Sequence, residues 1–312
     1  MEPQNCKNHL IFIVGPTAIG KTALSIKLAQ HYRCDIVSCD SRQFFKEMSI
    51  GTAVPSAEEL ALAKHHFIQN KSIHEKYNVG DYEREALALL DDLFLENNIQ
   101  IVVGGSGLYV DAVLKGFDDF PEVSQQIKEE IEQNYTQKGI AYLQNQLQKL
   151  DPEYFRFLDQ TNPQTLVNQQ RMKRFVGVCM AAQKPYSSFL NQEKNKRNFT
   201  PIIIGLDAPR EEMYHRINLR VDQMMQQGLL KEAADLRDFQ QLNALQTVGY
   251  RELFDFFNEK ISLDEAVEEI KKNTRRFAKR QLTWFKRNEQ TKWFSYREPF
   301  PNILKHIDEF IR

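Results

Sequence analysis

Residues 10–29, LIFIVGPTAIGKTALSIKLA, decide the fold, and the rest of the chain is read outward from them. An apolar, mostly β-branched run from Leu10 to Val14 meets the glycine-rich loop Gly15-Pro16-Thr17-Ala18-Ile19-Gly20-Lys21-Thr22, and good helix formers follow at once. That order is strand, loop, helix. The spacing G-x-x-x-x-G-K-T suits a phosphate chain, because successive backbone N–H groups curl around it with a helix N-terminus behind them. Gly15 and Gly20 let the backbone come close, Lys21 supplies a positive charge for the terminal phosphate, and the Thr22 hydroxyl can ligate a Mg²⁺ that bridges phosphate oxygens. The bland alternative is a glycine-rich turn with an incidental lysine, and the strand context speaks against it. The loop implies a phosphate or pyrophosphate ligand but not which bond is broken.

A chain of 312 residues, 42% apolar and 27% charged, can bury a substantial core and divide into more than one compact unit. Its polar N-terminus, MEPQNCKNHL, and strand-sized apolar runs predict neither a signal peptide nor a membrane span. Cys6, Cys34, Cys39 and Cys179 form no C-x-x-C pair and have no histidine at a zinc-like spacing, which suits reduced thiols in a cytoplasm. The net charge of −1 hides a strong asymmetry: Lys271–Arg287 carries eight Lys or Arg and no acid.

After the loop helix, predicted over about 21–31, CDIVSC (34–39) reads as a second short strand ending at Asp40-Ser41-Arg42-Gln43. Chemistry in open α/β sheets gathers at the carboxyl ends of strands, so Asp40 is expected to face the phosphate loop. A helix N-cap fits the same aspartate equally well. The irregular region Glu47–Asp81 holds Ile50-Gly51-Thr52-Ala53 and the pair His65-His66, whose side chains point in different directions and are read as ordinary polar contacts. Asp81 is expected to cap a helix from Tyr82 to about Asn97, with Leu87, Leu90 and Phe94 on one face. The strand Gln100–Val103 then runs into Gly104-Gly105-Ser106-Gly107-Leu108-Tyr109. A P-loop ATPase or GTPase usually places a Mg²⁺-holding acid there. The guanine-selecting Asn-Lys-x-Asp pattern is also missing, so nucleoside triphosphate hydrolysis loses ground.

From about Gly116 to Thr200 the composition turns to Gln, Lys and Glu with helical periodicity, and helices are predicted over 122–136, 139–149, 152–158 and 163–182, with Asp151 as cap and Pro152 in the first turn. Within this helical insertion Arg171 and Arg174 lie one turn apart, and a solvated basic face is the leading reading of them. The sheet resumes at Pro201–Leu206 and ends at Asp207. In the helix that follows, Arg216 and Arg220 share a face and can clamp a phosphate leaving group, with surface pairing to Glu212 as the alternative. Gln246–Glu252 turns into a further helix, and Ser262-Leu263-Asp264-Glu265 reads as a capping box. In the basic helix beyond it, Phe277, Gln281, Trp284 and Phe285 trace the inward side, while Lys272, Arg276, Lys279, Arg280 and Arg287 face out. Positive charge with aromatic residues between is the footprint of a polyanion partner; docking on the protein's own acidic surface is the rival reading.

Taken together, GPTAIGKT (15–22), DSRQ (40–43), IGTA (50–53), YNVGDYERE (77–85), VGGSGLYVDAVLKGFD (103–118), QQRMKR (169–174), HRINLRVDQM (215–224), VGYRE (248–252) and RRFAKRQLTWFKRN (275–288) resemble the bacterial tRNA dimethylallyltransferases. The resemblance implies an α/β protein: a P-loop NTPase-like core with a parallel sheet and C-terminal basic helices over 1–115 and 201–312, and an all-helical tRNA-binding insertion over 116–200 that embraces the anticodon stem-loop. It implies that the loop holds the pyrophosphate of dimethylallyl diphosphate. The acceptor it implies is the N6 amine of the adenosine just 3′ of the anticodon, in tRNAs that read codons beginning with U.

On that pattern Asp40, Lys21, Thr22 and Arg220 carry the chemistry, and Gly15 through Thr22 with Arg216 and Arg220 bind the donor diphosphate. Contacts to tRNA are expected from Asp40, Ser41, Arg42, Gln43, Ser106, Gln170, Arg171, Arg174, Tyr250, Arg251, Arg276, Lys279 and Arg280, with Thr22 on Mg²⁺. Two departures bear on nucleotide contacts. Arg42 stands where the family more often has an apolar residue, and Gln69 stands where an acid commonly follows the two histidines. No zinc-finger extension of the eukaryotic kind follows Arg287. A monomer in the cytoplasm is expected.

Overall fold

A computed structural model describes residues 8–118, 120–190 and 196–311; Cys6 lies outside them. Six strands, β1 (Asn8–Val14), β2 (Ile36–Ser38), β3 (His65–His66), β4 (Ile99–Val103), β5 (Phe199–Asp207) and β6 (Lys292–Ser295), form one sheet in the order β3-β2-β4-β1-β5-β6. Every pairing is parallel, with Phe12 of β1 opposite Val102 of β4 and Ile203 of β5. The central strand explains its own sequence: Leu10, Phe12 and Val14 enter one core while Ile11 and Ile13 enter the core on the opposite face. A strand covered on both sides needs an unbroken apolar run rather than alternation.

The second strand is shorter than the predicted 34–39, and the edge strands β3 and β6, two and four residues long, leave no periodic signal in the sequence. Helix α1 (Lys21–Tyr32) follows the loop, and α2 (Ala57–Leu62), opened by a Ser56/Glu59 capping box, lies in the stretch read as irregular. Helix α3 (Val79–Glu96) starts earlier than expected. Its cap is Asn78, whose side chain accepts from Gly80 and Asp81, while Asp81 returns the bond to the Asn78 N–H from the third helical position. Helix α4 (Gly107–Lys115) follows β4.

The chain divides into two compact units, Phe117–Lys196 and the residues on either side of it. The smaller unit contains α5 (Gln125–Lys138), α6 (Ile140–Leu150), α7 (Pro152–Thr161) and α8 (Gln169–Ala182) around its own core, in which Leu143, Leu147, Met172 and Val176 are fully buried. The single helix expected over 163–182 is broken. Pro163–Thr165 makes a 3₁₀ turn, and Asn168 restarts the chain by accepting from the Arg171 N–H. Asp151 caps α7 as the sequence indicates, accepting from Tyr154 N–H at 3.0 Å.

The larger unit continues with α9 (Arg210–Gln227), α10 (Leu229–Asp235), α11 (Tyr250–Phe257), α12 (Leu263–Phe285) and α13 (Phe300–Ile311). The capping box read at Ser262 and Glu265 opens α12. Among the described residues no helix is long and apolar enough to cross a membrane. Cys34, Cys39 and Cys179 are buried free thiols.

Candidate active site

The loop after β1 opens at the carboxyl edge of the sheet into a cavity of ≈ 440 Å³, lined by Thr17 through Ala23 together with Asp40, Arg216 and Arg220. Lys21 folds back along the loop, donating to the carbonyls of Gly15 (3.1 Å) and Pro16 (2.7 Å). Burial lowers its ammonium to about 8, with nearby Arg220 acting in the same direction and Asp40 in the opposite one. The loop is braced at consecutive residues. Gln281 of α12 accepts from the Thr17 N–H at 2.9 Å, and Arg216 of α9 donates through Nε to the Ala18 carbonyl at 2.8 Å. Ala18 sits at φ +62°, a left-handed conformation that costs a non-glycine residue roughly 1 kcal/mol and needs support from its surroundings.

Asp40 follows β2, one strand removed from the loop because β4 lies between β2 and β1. The glycine that ends β4 makes this approach possible: a Cβ on Gly104 would come within 2.5 Å of Cys39 Sγ and 3.0 Å of the Asp40 nitrogen. An acid at that strand end has no room. No helix follows Asp40, so the helix-cap reading fails in its literal form; Oδ1 instead accepts from the Arg42 N–H at 3.1 Å within a turn. Among the described residues no hydrogen bond reaches Oδ2. Arg220 lies nearby, its guanidinium pKa lowered by burial against the opposing influence of Asp40 and Glu59.

A second cavity, ≈ 610 Å³, is lined by Ser41, Ser106–Tyr109, Met224, Thr247–Gly249, Arg251, Arg280 and Trp284 among others. The two cavities share Thr17, Asp40, Thr52, Arg220, Phe277 and Gln281. They therefore meet at a carboxylate and a guanidinium, one leading to a phosphate loop and the other to a wider, more aromatic space.

Several expected residues have other employment. Tyr250 is a correction: its ring is fully buried against Gly51, and its hydroxyl donates to Glu232 at 2.6 Å, so it is a packing residue. Arg42 donates to the carbonyls of Asn243 and Ala244, both at 2.9 Å, and Gln43 to those of Thr52 and Ala53, so these polar heads shape the cavity walls. Ser106 accepts from the Ser41 N–H at 3.0 Å and bonds its hydroxyl at 3.1 Å, joining the ends of β4 and β2. Arg216 braces the loop rather than pairing with Glu212, which is taken by Tyr296 and Arg297.

The basic helix divides. Lys271 pairs with Asp222 of α9 and Lys286 with Asp207, as docking on the protein's own acids would have it, while Lys271–Glu268 and Lys272–Glu269 are pairs within α12 itself. Arg276, Lys279 and Arg280 are exposed and form no ion pair among the described residues. Arg251 is exposed and lies 3.9 Å from Glu252. In the helical unit Gln170, Arg171 and Arg174 are exposed, with Arg171 reaching Thr165 and Arg174 resting over the Phe120 ring.

Phe277, expected on the inward side, is 38% exposed and lines both cavities. His66 pairs with Asp35 at 2.7 Å, whereas His65 lines the loop cavity and its buried Nε2 has no hydrogen-bond partner among the described residues. Gln281 was legible only as a polar residue on an otherwise apolar helix face.

A divalent cation fits the loop as a shared guest. Among the described residues no three or more His, Cys, Asp or Glu side chains converge so that they could hold a metal ion, so protein ligands alone make no cage. Thr22 opens α1 and lines the loop cavity, where its hydroxyl can join diphosphate oxygens and water around a hard ion.

A parallel sheet with a phosphate loop after its central strand, and two cavities converging on one carboxylate, define a P-loop group-transfer fold. The chain belongs to the IPP transferase family, whose model matches residues 43–288. A Flavobacterium johnsoniae protein named tRNA dimethylallyltransferase is 66% identical over 304 residues, which is 97% of this chain and 98% of that one. The relative from Christiangramia forsetii with the same name is 53% identical over 97% and 99% of the two chains. The structure of the full-length tRNA isopentenylpyrophosphate transferase of Bacillus halodurans superposes with a TM-score of 0.70 at 34% identity, covering 98% of this chain and 96% of that one.

Proposed function

We propose that the protein transfers a dimethylallyl group from dimethylallyl diphosphate to the N6 amine of the adenosine 3′-adjacent to the anticodon, position 37, in tRNAs reading codons that begin with U. The products are N6-dimethylallyladenosine and diphosphate. The observation that carries this reading is the junction of the two cavities at Asp40 and Arg220. A diphosphate in the loop cavity and a base entering from the wider one would meet there.

An adenine amine is a weak nucleophile, so alignment and stabilisation of the departing charge must supply most of the acceleration. N6 attacks the allylic C1 as the C1–O bond to diphosphate breaks. Asp40 Oδ2 accepts the amine proton. Lys21, Arg220 and the loop N–H groups from Ala18 to Thr22 receive the charge that develops on the leaving diphosphate, while Arg216 holds the loop. Magnesium, held by Thr22 and the diphosphate, would supply further charge neutralisation when bound.

The target base is inaccessible while stacked, so it is flipped into the wider cavity, where Phe277, Trp284 and Ser106 line its path. Arg276, Lys279, Arg280 and Arg251 would contact the RNA backbone from the larger unit, and Gln170, Arg171 and Arg174 from the helical unit, with the enzyme acting as a cytoplasmic monomer. Incubation with labelled dimethylallyl diphosphate and unmodified tRNA, followed by digestion, should yield label in N6-dimethylallyladenosine alone. Label in another nucleoside, or preferential use of free AMP in competition with tRNA, would overturn the assignment.

A further inference from the structure

We infer that Gln281 is a positioning residue for the phosphate loop, holding it open for the donor diphosphate from the inner side of the basic helix; this rests on the reading of the loop as the donor site. Its side chain is only 6% exposed, yet both ends of the amide are bonded. Oε1 accepts from the Thr17 N–H at 2.9 Å, and Nε2 donates to the Gly105 carbonyl at 2.9 Å. The amide thereby joins the loop after β1 to the end of β4.

Gly105 is part of the same device. A Cβ there would overlap Gln281 Nε2, so the glycine at the end of β4 leaves room for a side chain that arrives from α12. The Thr17 N–H is thus committed to Gln281, while the N–H groups of Ala18 through Thr22 have no protein acceptor among the described residues and remain for phosphate oxygens. A neutral amide suits this place better than a charged group. It satisfies one donor and one acceptor without adding negative charge where an anion must bind. Gln281 also directly follows Lys279 and Arg280, so the loop brace and the exposed basic face belong to one turn of helix.

The test is calorimetric titration of the full-length protein with inorganic pyrophosphate and Mg²⁺, comparing wild type, Gln281→Met, Gln281→Glu and Lys21→Ala. Gln281→Met, similar in shape but unable to make either bond, should weaken pyrophosphate binding about tenfold, the scale of losing the one buried bond that holds the loop itself, at Thr17. Gln281→Glu gives a readout that packing alone would not move. When protonated, its carboxyl accepts from Thr17 and donates to Gly105 as the amide does; when ionised it cannot donate and repels the anion. Its affinity relative to wild type should therefore recover as pH falls, while that of Gln281→Met stays flat.

Wild-type affinity in Gln281→Met overturns the inference, as does a Gln281→Glu to wild-type ratio that does not change with pH. Should Gln281→Met fail to fold, the isosteric Gln281→Glu carries the test alone. If Lys21→Ala binds pyrophosphate as wild type does, it is the donor-site reading that fails, and this inference with it.

Discussion

Asp40 and Asp151 begin as the same observation, an aspartate just after an ordered segment where a cap is the ordinary reading, and their surroundings separate them. In the helical unit Asp151 is 1% exposed and both oxygens are satisfied, Oδ1 by Tyr154 N–H at 3.0 Å and Oδ2 by Ser187 N–H at 2.7 Å. At the carboxyl edge of the sheet Asp40 bonds, among the described residues, through Oδ1 alone and faces two cavities beside Lys21 and Arg220. A carboxylate with every acceptor site bonded holds structure together. One left with an open oxygen, in a cleft with cations, is available for chemistry.

The largest effect that would test this contrast is Asp40→Ala, expected to reduce prenyl transfer about 10³-fold, the scale of a lost general base, with tRNA affinity nearly unchanged. A normal single-turnover rate in that variant would make Asp40 a turn-former like Asp151. The converse is Asp151→Ala, which should cost the protein about 2–3 kcal/mol through a lost cap and an unsatisfied Ser187 N–H. Denaturant unfolding measures it, and transfer by the folded fraction should stay close to wild type.

Lys21 offers a pH test of the open edge. Its ammonium is lowered to about 8, and a bound diphosphate favours the charged form, so donor affinity is complete below that value and falls as pH rises through it. Pyrophosphate binding should weaken about tenfold at pH 9 relative to neutral pH, by proton linkage, and Lys21→Arg should flatten the curve. Without a donor bound, the sign is the opposite for folding stability. Because the folded pKa lies below the unfolded one, Lys21 makes stability rise, not fall, between about pH 8 and its ordinary value of 10.5.

The smallest effect separates the two parts of α12. Lys279→Glu or Arg280→Glu should lower tRNA affinity several-fold and reduce the salt slope by about 0.9 per lost phosphate contact. Lys271→Glu, at a lysine paired in the wild type with Asp222 and Glu268, both at 2.9 Å, should act mainly on stability. Equal loss of RNA affinity in all three would mean that the helix presents one uniform basic face.

Much of this was written in the chain. The apolar run at Leu10–Val14, the glycine spacing from Gly15 to Gly20, the Asp151-Pro152 helix start and the Ser262/Glu265 capping box are signals carried by neighbouring residues, because backbone geometry and local hydrogen bonds act over a few positions. The two-residue strand at His65–His66 and the break before Asn168 left no such signal, since short edge pairing and a restarted helix depend on what lies alongside.

By itself, then, the amino-acid order determined a parallel α/β core with a phosphate loop, a helical insertion and a cationic helix near the C-terminus. Tertiary structure alone decided which polar residues remain free to act. It buried Tyr250 against Gly51, turned Arg42 and Gln43 to neighbouring carbonyls, placed Gln281 on Thr17 and Gly105, and left one oxygen of Asp40 open where two cavities meet. The reason is physical: a side chain's availability is set by the donors and acceptors that other segments bring to it, and those segments lie up to 264 residues away along the chain.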